Sequence, residues 1–146
     1  MESLDLTVRP PRGPRLPLAD LDLVMLARTV DKLRATLPGG SLGSYQIPGF
    51  SARLLERLGI TEDELRDAVA GARSDEDVAA WVRQRSDPSL YSEINAAMGR
   101  RTIGDRLDDP AFLAKYPIAP SLPPDMPLLD FLSIDDADMF PEPRMR

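Results

Sequence analysis

Fifteen prolines divide this 146-residue chain into stretches that can and cannot be regular helix. None falls between Pro48 and Pro88, whereas residues 9–17 read RPPRGPRLP and residues 117–127 hold five. A proline lacks the main-chain donor and crowds the preceding turn. Regular helices are therefore expected in the gap, and extended or broken chain at the two ends. The first Pro-rich stretch has polyproline character, within an extended arm spanning residues 1–20. Leu4, Leu6, Val8, Leu16 and Leu18 flank its prolines, so it reads as a strap laid across the chain's own core.

The longest helical pattern runs from Leu21 to Leu37. With Leu23 as origin and about 100° per residue, Leu26, Ala27, Val30, Leu33 and Leu37 share an arc of about 120°, the buried face of an amphipathic helix. Val24 and Met25 fall outside that arc, which predicts apolar neighbours on more than one side. Arg34 falls inside it, with Asp31 at i−3 as the nearest carboxylate. A largely buried Arg34–Asp31 pair follows, and Arg34→Ala is expected to cost about 3–5 kcal/mol by stranding a charge. Arg28 and Lys32 extend the charged band, and Pro38 should end the helix near Leu37.

Local signals place the remaining elements. Phe50, Leu54, Leu55 and Leu58 form a stripe closed by Gly59 and Ile60 in a Schellman ending. Thr61 and Glu64 make a capping box for the next helix, with Ile60 and Leu65 at the staple positions. Ser74 opens a third unit with Asp75, Glu76 and Asp77 in its first turn, where the helix dipole favours negative charge; Val78, Trp81 and Val82 make its core stripe. Asp87-Pro88 and Asp109-Pro110 read as cap and first helical residue of two further helices. Residues 117–127 are expected to be extended, and Leu128, Leu129, Phe131, Leu132 and Ile134 to form a last helix that docks the tail. Asp135, Asp136 and Asp138 lack the glycine and distal glutamate of a calcium loop and read as an acidic terminus. Residues 139–146 are expected to be a flexible tail.

The glycine loop after the central helix, Gly39-Gly40-Ser41-Leu42-Gly43, matches the pattern of a serine nucleophile elbow. That assignment fails, because a helix precedes it and the chain has no histidine. The glycines instead permit positive φ in a tight return. A backbone-amide nest for an anion is the functional alternative.

Composition removes whole classes of chemistry. Without cysteine or histidine there is no disulfide, no thiolate or imidazole metal site, and no Ser-His-Asp or Cys-His mechanism. No metal or cofactor is expected. A net charge of −6 argues against sequence-independent binding to nucleic acid. The charge is unevenly spread, since residues 1–58 carry eight basic and six acidic groups while residues 117–146 carry two and six. No apolar run approaches a membrane span, and the start MESLDLTVRP lacks the apolar segment of a secretion signal, so the cytoplasm is expected.

These readings define an all-α chain: a single domain of six or seven short helices around a central N-terminal helix, with Pro-rich straps at both ends. The segments L-T-V-R-P-P-R, L-A-R-T-V-D-K-L-R-A, G-G-S-L-G-S-Y, L-L-E-R-L-G-I, V-A-A-W-V and L-L-D-F-L-S-I-D-D resemble a bacterial family, domain-of-unknown-function family 5069. Ile94-Asn95 stands where that family has a Trp-Asn pair, and the D-D is not followed by glycine. The resemblance implies no activity. It directs attention to Arg28, Asp31, Lys32, Arg34, Gly40, Gly43 and Tyr45 as candidate ligand-binding residues. Two functions are expected from different classes. The first is a non-enzymatic interaction protein acting through a protein partner or as a homodimer. The second is a site for a small anionic ligand, or an enzyme, built on the Arg/Asp/Lys/Tyr set, in which lysine could act as a base only if burial lowered its pKa.

Overall fold

The computed structural model describes residues 1–47 and 49–141. Among them are seven α-helices and no strand: α1 Leu26–Ala35, α2 Phe50–Leu58, α3 Glu62–Gly71, α4 Asp75–Arg85, α5 Tyr91–Gly99, α6 Pro110–Lys115 and α7 Leu128–Met139. Short 3-10 turns at Pro88–Leu90, Ile103–Arg106 and Ala119–Ser121 fill the connections.

Helix ends written in neighbouring residues form as their chemistry requires. Gly59 takes φ 74°, Ile60 N–H donates to the Leu55 carbonyl at 3.1 Å, and Gly59 N–H donates to that of Glu56 at 3.2 Å. This is the Schellman pair of bonds. Glu64 N–H donates to Thr61 Oγ1 at 3.1 Å while Thr61 N–H donates to Glu64 Oε1 at 2.9 Å, completing the capping box. Ser74 caps α4, and Asp109 caps α6 through Ala111 N–H. Asp87 caps too, but it opens the 3-10 turn that precedes α5.

The central helix is shorter than its apolar pattern. Met25 has a left-handed backbone, φ 70°, and its N–H donates to the Pro14 carbonyl at 2.7 Å, so α1 begins only at Leu26. Leu21 and Leu23 are buried from a loop, and Val24 and Met25 leave the helical stripe because they are not helical. Within α1 every residue except Arg34 is buried. Helices α2 and α3 pack against it, and the N-terminal arm lies across it. Leu6, Pro11, Pro14 and Leu18 of that arm are buried, whereas Val8 and Leu16 face outward.

Two main apolar clusters result, beside a minor one of Leu6, Ala35 and Tyr45 under the arm. The larger surrounds α1 and takes in α2 to α5, with Trp81 half-buried against it. The smaller joins Ile103, Phe112, Ala119, Leu128 and Phe131, and Phe50 packs on both. Residues 117–127 are thus not extended throughout. The Ala119–Ser121 turn folds back and seats Ala119 in the smaller cluster, burial overriding what proline spacing alone suggests. The expected flexible tail also begins too early. Met139 ends α7 and the Phe140 ring stacks on Tyr45 with centroids 6.4 Å apart; residues 142–146 of that tail lie outside the described residues.

Candidate functional site

Arg28 is 1% exposed, and α7 supplies its partner. Its Nη1 and Nη2 donate to Asp136 Oδ2 at 2.6 Å and Oδ1 at 2.9 Å. Tyr45 Oη donates to the same Asp136 Oδ1 at 2.8 Å, and the guanidinium carbon lies 5.5 Å from the Tyr45 ring centroid. A buried ion pair is tolerable only when such bonds replace the lost water. Burial, then the hydrogen bond from Tyr45 to the charged carboxylate, pushes the phenol's pKa well up. Arg28 Nε is buried with no hydrogen-bond partner among the described residues.

The acidic-terminus reading missed Asp136. The signal was available, since Asp136 follows Leu132 by four residues and Leu129 by seven, which puts a carboxylate on the apolar stripe of α7. A charge there must find a partner, and Arg28 is 108 residues away in sequence.

Asp31 and Arg34 belong to the arm. The Asp31 carboxylate accepts from the Arg12 N–H at 2.8 Å, from Arg12 Nε at 3.1 Å and from Nη2 at 3.0 Å, while Arg12 Nη1 reaches Asp75 at 2.7 Å. Burial alone would lower the Arg12 pKa, but the two carboxylates together push it up. The expected Arg34–Asp31 pair is therefore present only as a long secondary contact, and the expected deep burial of Arg34 is corrected. The Arg34 side chain is 18% exposed, its Nη1 is 3.9 Å from Asp31 Oδ1, and its Nε donates to the Glu2 carbonyl at 2.8 Å. The arm delivers a guanidinium fork plus a main-chain N–H to Asp31, which a neighbour on the same helix cannot match.

Gly40 and Gly43 serve the same arm. A Cβ on Gly40 would lie 2.6 Å from the Ala35 carbonyl oxygen and 2.9 Å from that of Leu4. At Gly43, φ 58°, it would lie 3.0 Å from the Leu6 oxygen. The closeness exists because arm and loop pair, Leu6 N–H donating to Ser41 O at 2.8 Å and Ser41 N–H to Leu4 O at 3.0 Å. The amides of Gly40, Ser41, Gly43 and Tyr45 all have partners within the chain, so the loop does not offer them as an anion nest.

Of the seven candidates, Arg28, Lys32 and Tyr45 remain together, at a pair of adjoining cavities. The larger, about 680 Å³, lies where the two apolar clusters meet, walled by Phe50, Phe112, Phe131 and Leu128. Five cations also line it: Lys32, Arg53, Arg101, Arg106 and Lys115. No carboxylate among the described residues does. Arg106 has Asp109 at 2.9 Å, whereas Lys32, Arg53, Arg101 and Lys115 form no ion pair among the described residues. Desolvation, then the charge of Arg53, lowers the Arg101 pKa, the mark of crowded positive charge. The smaller cavity, about 370 Å³, shares Lys32, Gln46, Lys115, Tyr116 and Leu132 with the first and adds Arg28, Tyr45 and Asp135.

Lys32 stands at that shared wall. It is 8% exposed, and Nζ donates to the Gln46 main-chain oxygen at 2.8 Å. Burial, with Arg28 and Lys115 adding to it and Asp136 opposing, lowers its pKa to about 7. Partial desolvation lowers Lys115 as well, and burial pushes Tyr116 up to about 12. Desolvation also raises Asp135, with Asp136 contributing. Sequence reasoning missed Arg53, Arg101, Arg106 and Lys115, whose separate helices and turns give no local hint that they converge.

The family model described as Domain of unknown function (DUF5069) matches residues 8–117. The chain belongs to this family. No curated protein matches it. The DUF5069 span contains Arg28, Lys32, Tyr45, Arg53, Arg101 and Lys115, whereas α7 with Asp136 follows it. Among the described residues no group of three His, Cys, Asp or Glu could hold a metal ion. No helix there is long and apolar enough to cross a membrane.

Proposed function

We propose that this DUF5069 chain binds a small molecule with an anionic group and an apolar body. One observation carries the reading: a cavity of about 680 Å³ is lined by five cations and an aromatic wall, with no carboxylate among the described lining residues. Uncompensated positive charge at the edge of an apolar cavity is costly without an anion, and volumes of this order suit small ligands. Arg53, Arg101 and Lys115 are the groups that would meet the anion.

A thermal-shift screen of carboxylates, phosphates and nucleotides tests this, because a ligand at 100 times its Kd should stabilise the fold by about 2.7 kcal/mol. The shift should vanish in Arg53→Ala and Arg101→Ala chains that still fold. Silence across all three ligand classes sinks the reading.

The interaction-protein reading ranks below it. Large exposed apolar side chains are Val8 and Leu16 on the arm, Leu90, and Ile134 and Met139 on α7. The last two stand about 140° apart around their helix, so they do not make one docking stripe. Light scattering at micromolar concentration discriminates, with a stable homodimer restoring that reading.

A further inference from the structure

Sixteen arginines and two lysines make up the basic residues of this chain. Both lysines, Lys32 and Lys115, line both cavities, and Gln46 sits between them, its main-chain oxygen accepting from Lys32 at 2.8 Å and its side-chain oxygen from Lys115 at 3.5 Å. Wherever a cation is placed outside the cavities, the chain uses arginine. A guanidinium is never deprotonated in proteins, but an amine can be. The site thus holds the only side-chain amines of the chain.

Lys32 occupies the place of a structural cation without having a structural cation's partner. Arg12 and Arg28 are held by carboxylates, whereas the buried Lys32 amine meets one carbonyl oxygen. The charged groups that bear on it most are Arg28, Lys115 and Asp136, with Asp135 and Asp138 on the wall of the smaller cavity it shares, and Asp136 is already engaged by Arg28 and Tyr45. Two cations and burial outweigh that single shared carboxylate, so the amine gives up its proton easily. A desolvated lysine beside other cations is the arrangement that makes an amine nucleophilic near neutral pH.

Resting on the anion-binding reading above, we propose that Lys32 captures a carbonyl ligand as an imine, and that the ligand class is a 2-oxo acid with an apolar side chain. Arg53, Arg101 and Lys115 take its carboxylate, and the wall of Phe112, Phe131 and Leu128 takes its side chain. The uncharged Nζ donates its lone pair to the C2 carbonyl carbon, a C–N bond forms as the C=O π pair moves to oxygen, and one proton passes from nitrogen to that oxygen. The resulting carbinolamine loses its hydroxyl together with the second nitrogen proton as water, and the C=N bond of the imine replaces the C=O bond. Nothing is oxidised or reduced.

The test uses the full chain with 4-methyl-2-oxopentanoate and sodium borohydride, followed by intact-mass and peptide mass spectrometry. Calorimetry with the same acid and with 2-hydroxy-4-methylpentanoate, which has no C2 ketone, runs beside it. One reduced adduct per chain, mapped to Lys32, is expected, with its yield rising as pH is raised through neutrality. The adduct should be lost in Lys32→Met and kept in Arg57→Ala, since Arg57 lines neither of the two cavities. Should Lys32→Met fail to fold, the map of the unaltered chain decides. Binding of both acids without an adduct, or an adduct on Lys115 or the Met1 amine, overturns the imine and leaves the anion site standing. Binding of neither acid overturns the imine and counts against the anion site too.

Discussion

Successive turns of α1 treat positive charge in opposite ways. Arg12 and Arg28 each meet a carboxylate through both ends of the guanidinium fork, Asp31 on the arm side and Asp136 on the α7 side. One turn along the same helix, Lys32 stands between a wall of cations and the smaller cavity lined by Asp135 and Asp138, with no ion-pair partner among the described residues. Paired charges of the first kind position segments: one pair pins the arm and the other pins α7. In the unpaired set only the two lysines are tied down, to the oxygens of Gln46, and the uncompensated charge costs stability that the proposed ligand would restore. The contrast separates residues paired within the fold from those that the proposed ligand would meet.

The sharpest way to break this contrast is at Asp136. Asp136→Ala leaves Arg28 buried without a counter-charge and Tyr45 without its acceptor, and should cost about 3–5 kcal/mol in urea melts. The double variant Arg28→Met with Asp136→Leu should recover much of that loss, because it leaves no stranded charge. A loss below about 1 kcal/mol in Asp136→Ala would place the pair among ordinary surface bridges.

Lys32 should respond in the opposite direction. Its pKa is about 7 in the folded chain against 10.5 for the free side chain, so between those values the unfolded chain binds more protons and stability rises with pH. The penalty is complete below about pH 7 and fades as pH approaches 10.5. At about 1.4 kcal/mol per pKa unit, Lys32→Met should gain a few kcal/mol at pH 6, a gain that shrinks steadily in melts at pH 8 and 9.5. A pH-independent difference would mean that Lys32 has a counter-charge after all.

Smaller effects sharpen the comparison on the arm side. Asp31→Ala removes the acceptor of the Arg12 N–H and of its fork but leaves Asp75, and should cost about 1–3 kcal/mol. Arg34→Ala should stay below about 1 kcal/mol, since that side chain is 18% exposed and its closest bond is to a main-chain oxygen. Urea denaturation ranks the two, and equal losses would return Arg34 to the place that the helical projection assigned it. Smallest should be Arg53→Ala and Arg101→Ala, within about 0.5 kcal/mol of the parent or slightly more stable, because each relieves like-charge crowding. A large loss in either would make the cavity cations structural.

Some of this was decided within a few residues of chain. The Schellman ending at Gly59, the Thr61–Glu64 box and the caps at Ser74 and Asp109 depend on bonds between residues two to five apart, so neighbouring residue types suffice to specify them. The all-α class follows equally from apolar spacing and from the proline-free middle. Where α1 begins was not legible, because the Leu21–Leu23 pattern is also satisfied by a loop whose Met25 bonds to Pro14. The choice of Asp31 for Arg34 was met only by a 3.9 Å contact for a related reason: spacing on one helix measures only the nearest partner, and a distant arm offered Asp31 a better one. Tertiary structure alone decided that Asp136 meets Arg28, and that Arg53, Arg101, Lys115 and Lys32 face one cavity. Those groups come from four separate segments, and no periodicity records which faces will pack together. Long-range packing chooses the site, whereas short-range bonding chooses the helices that carry it.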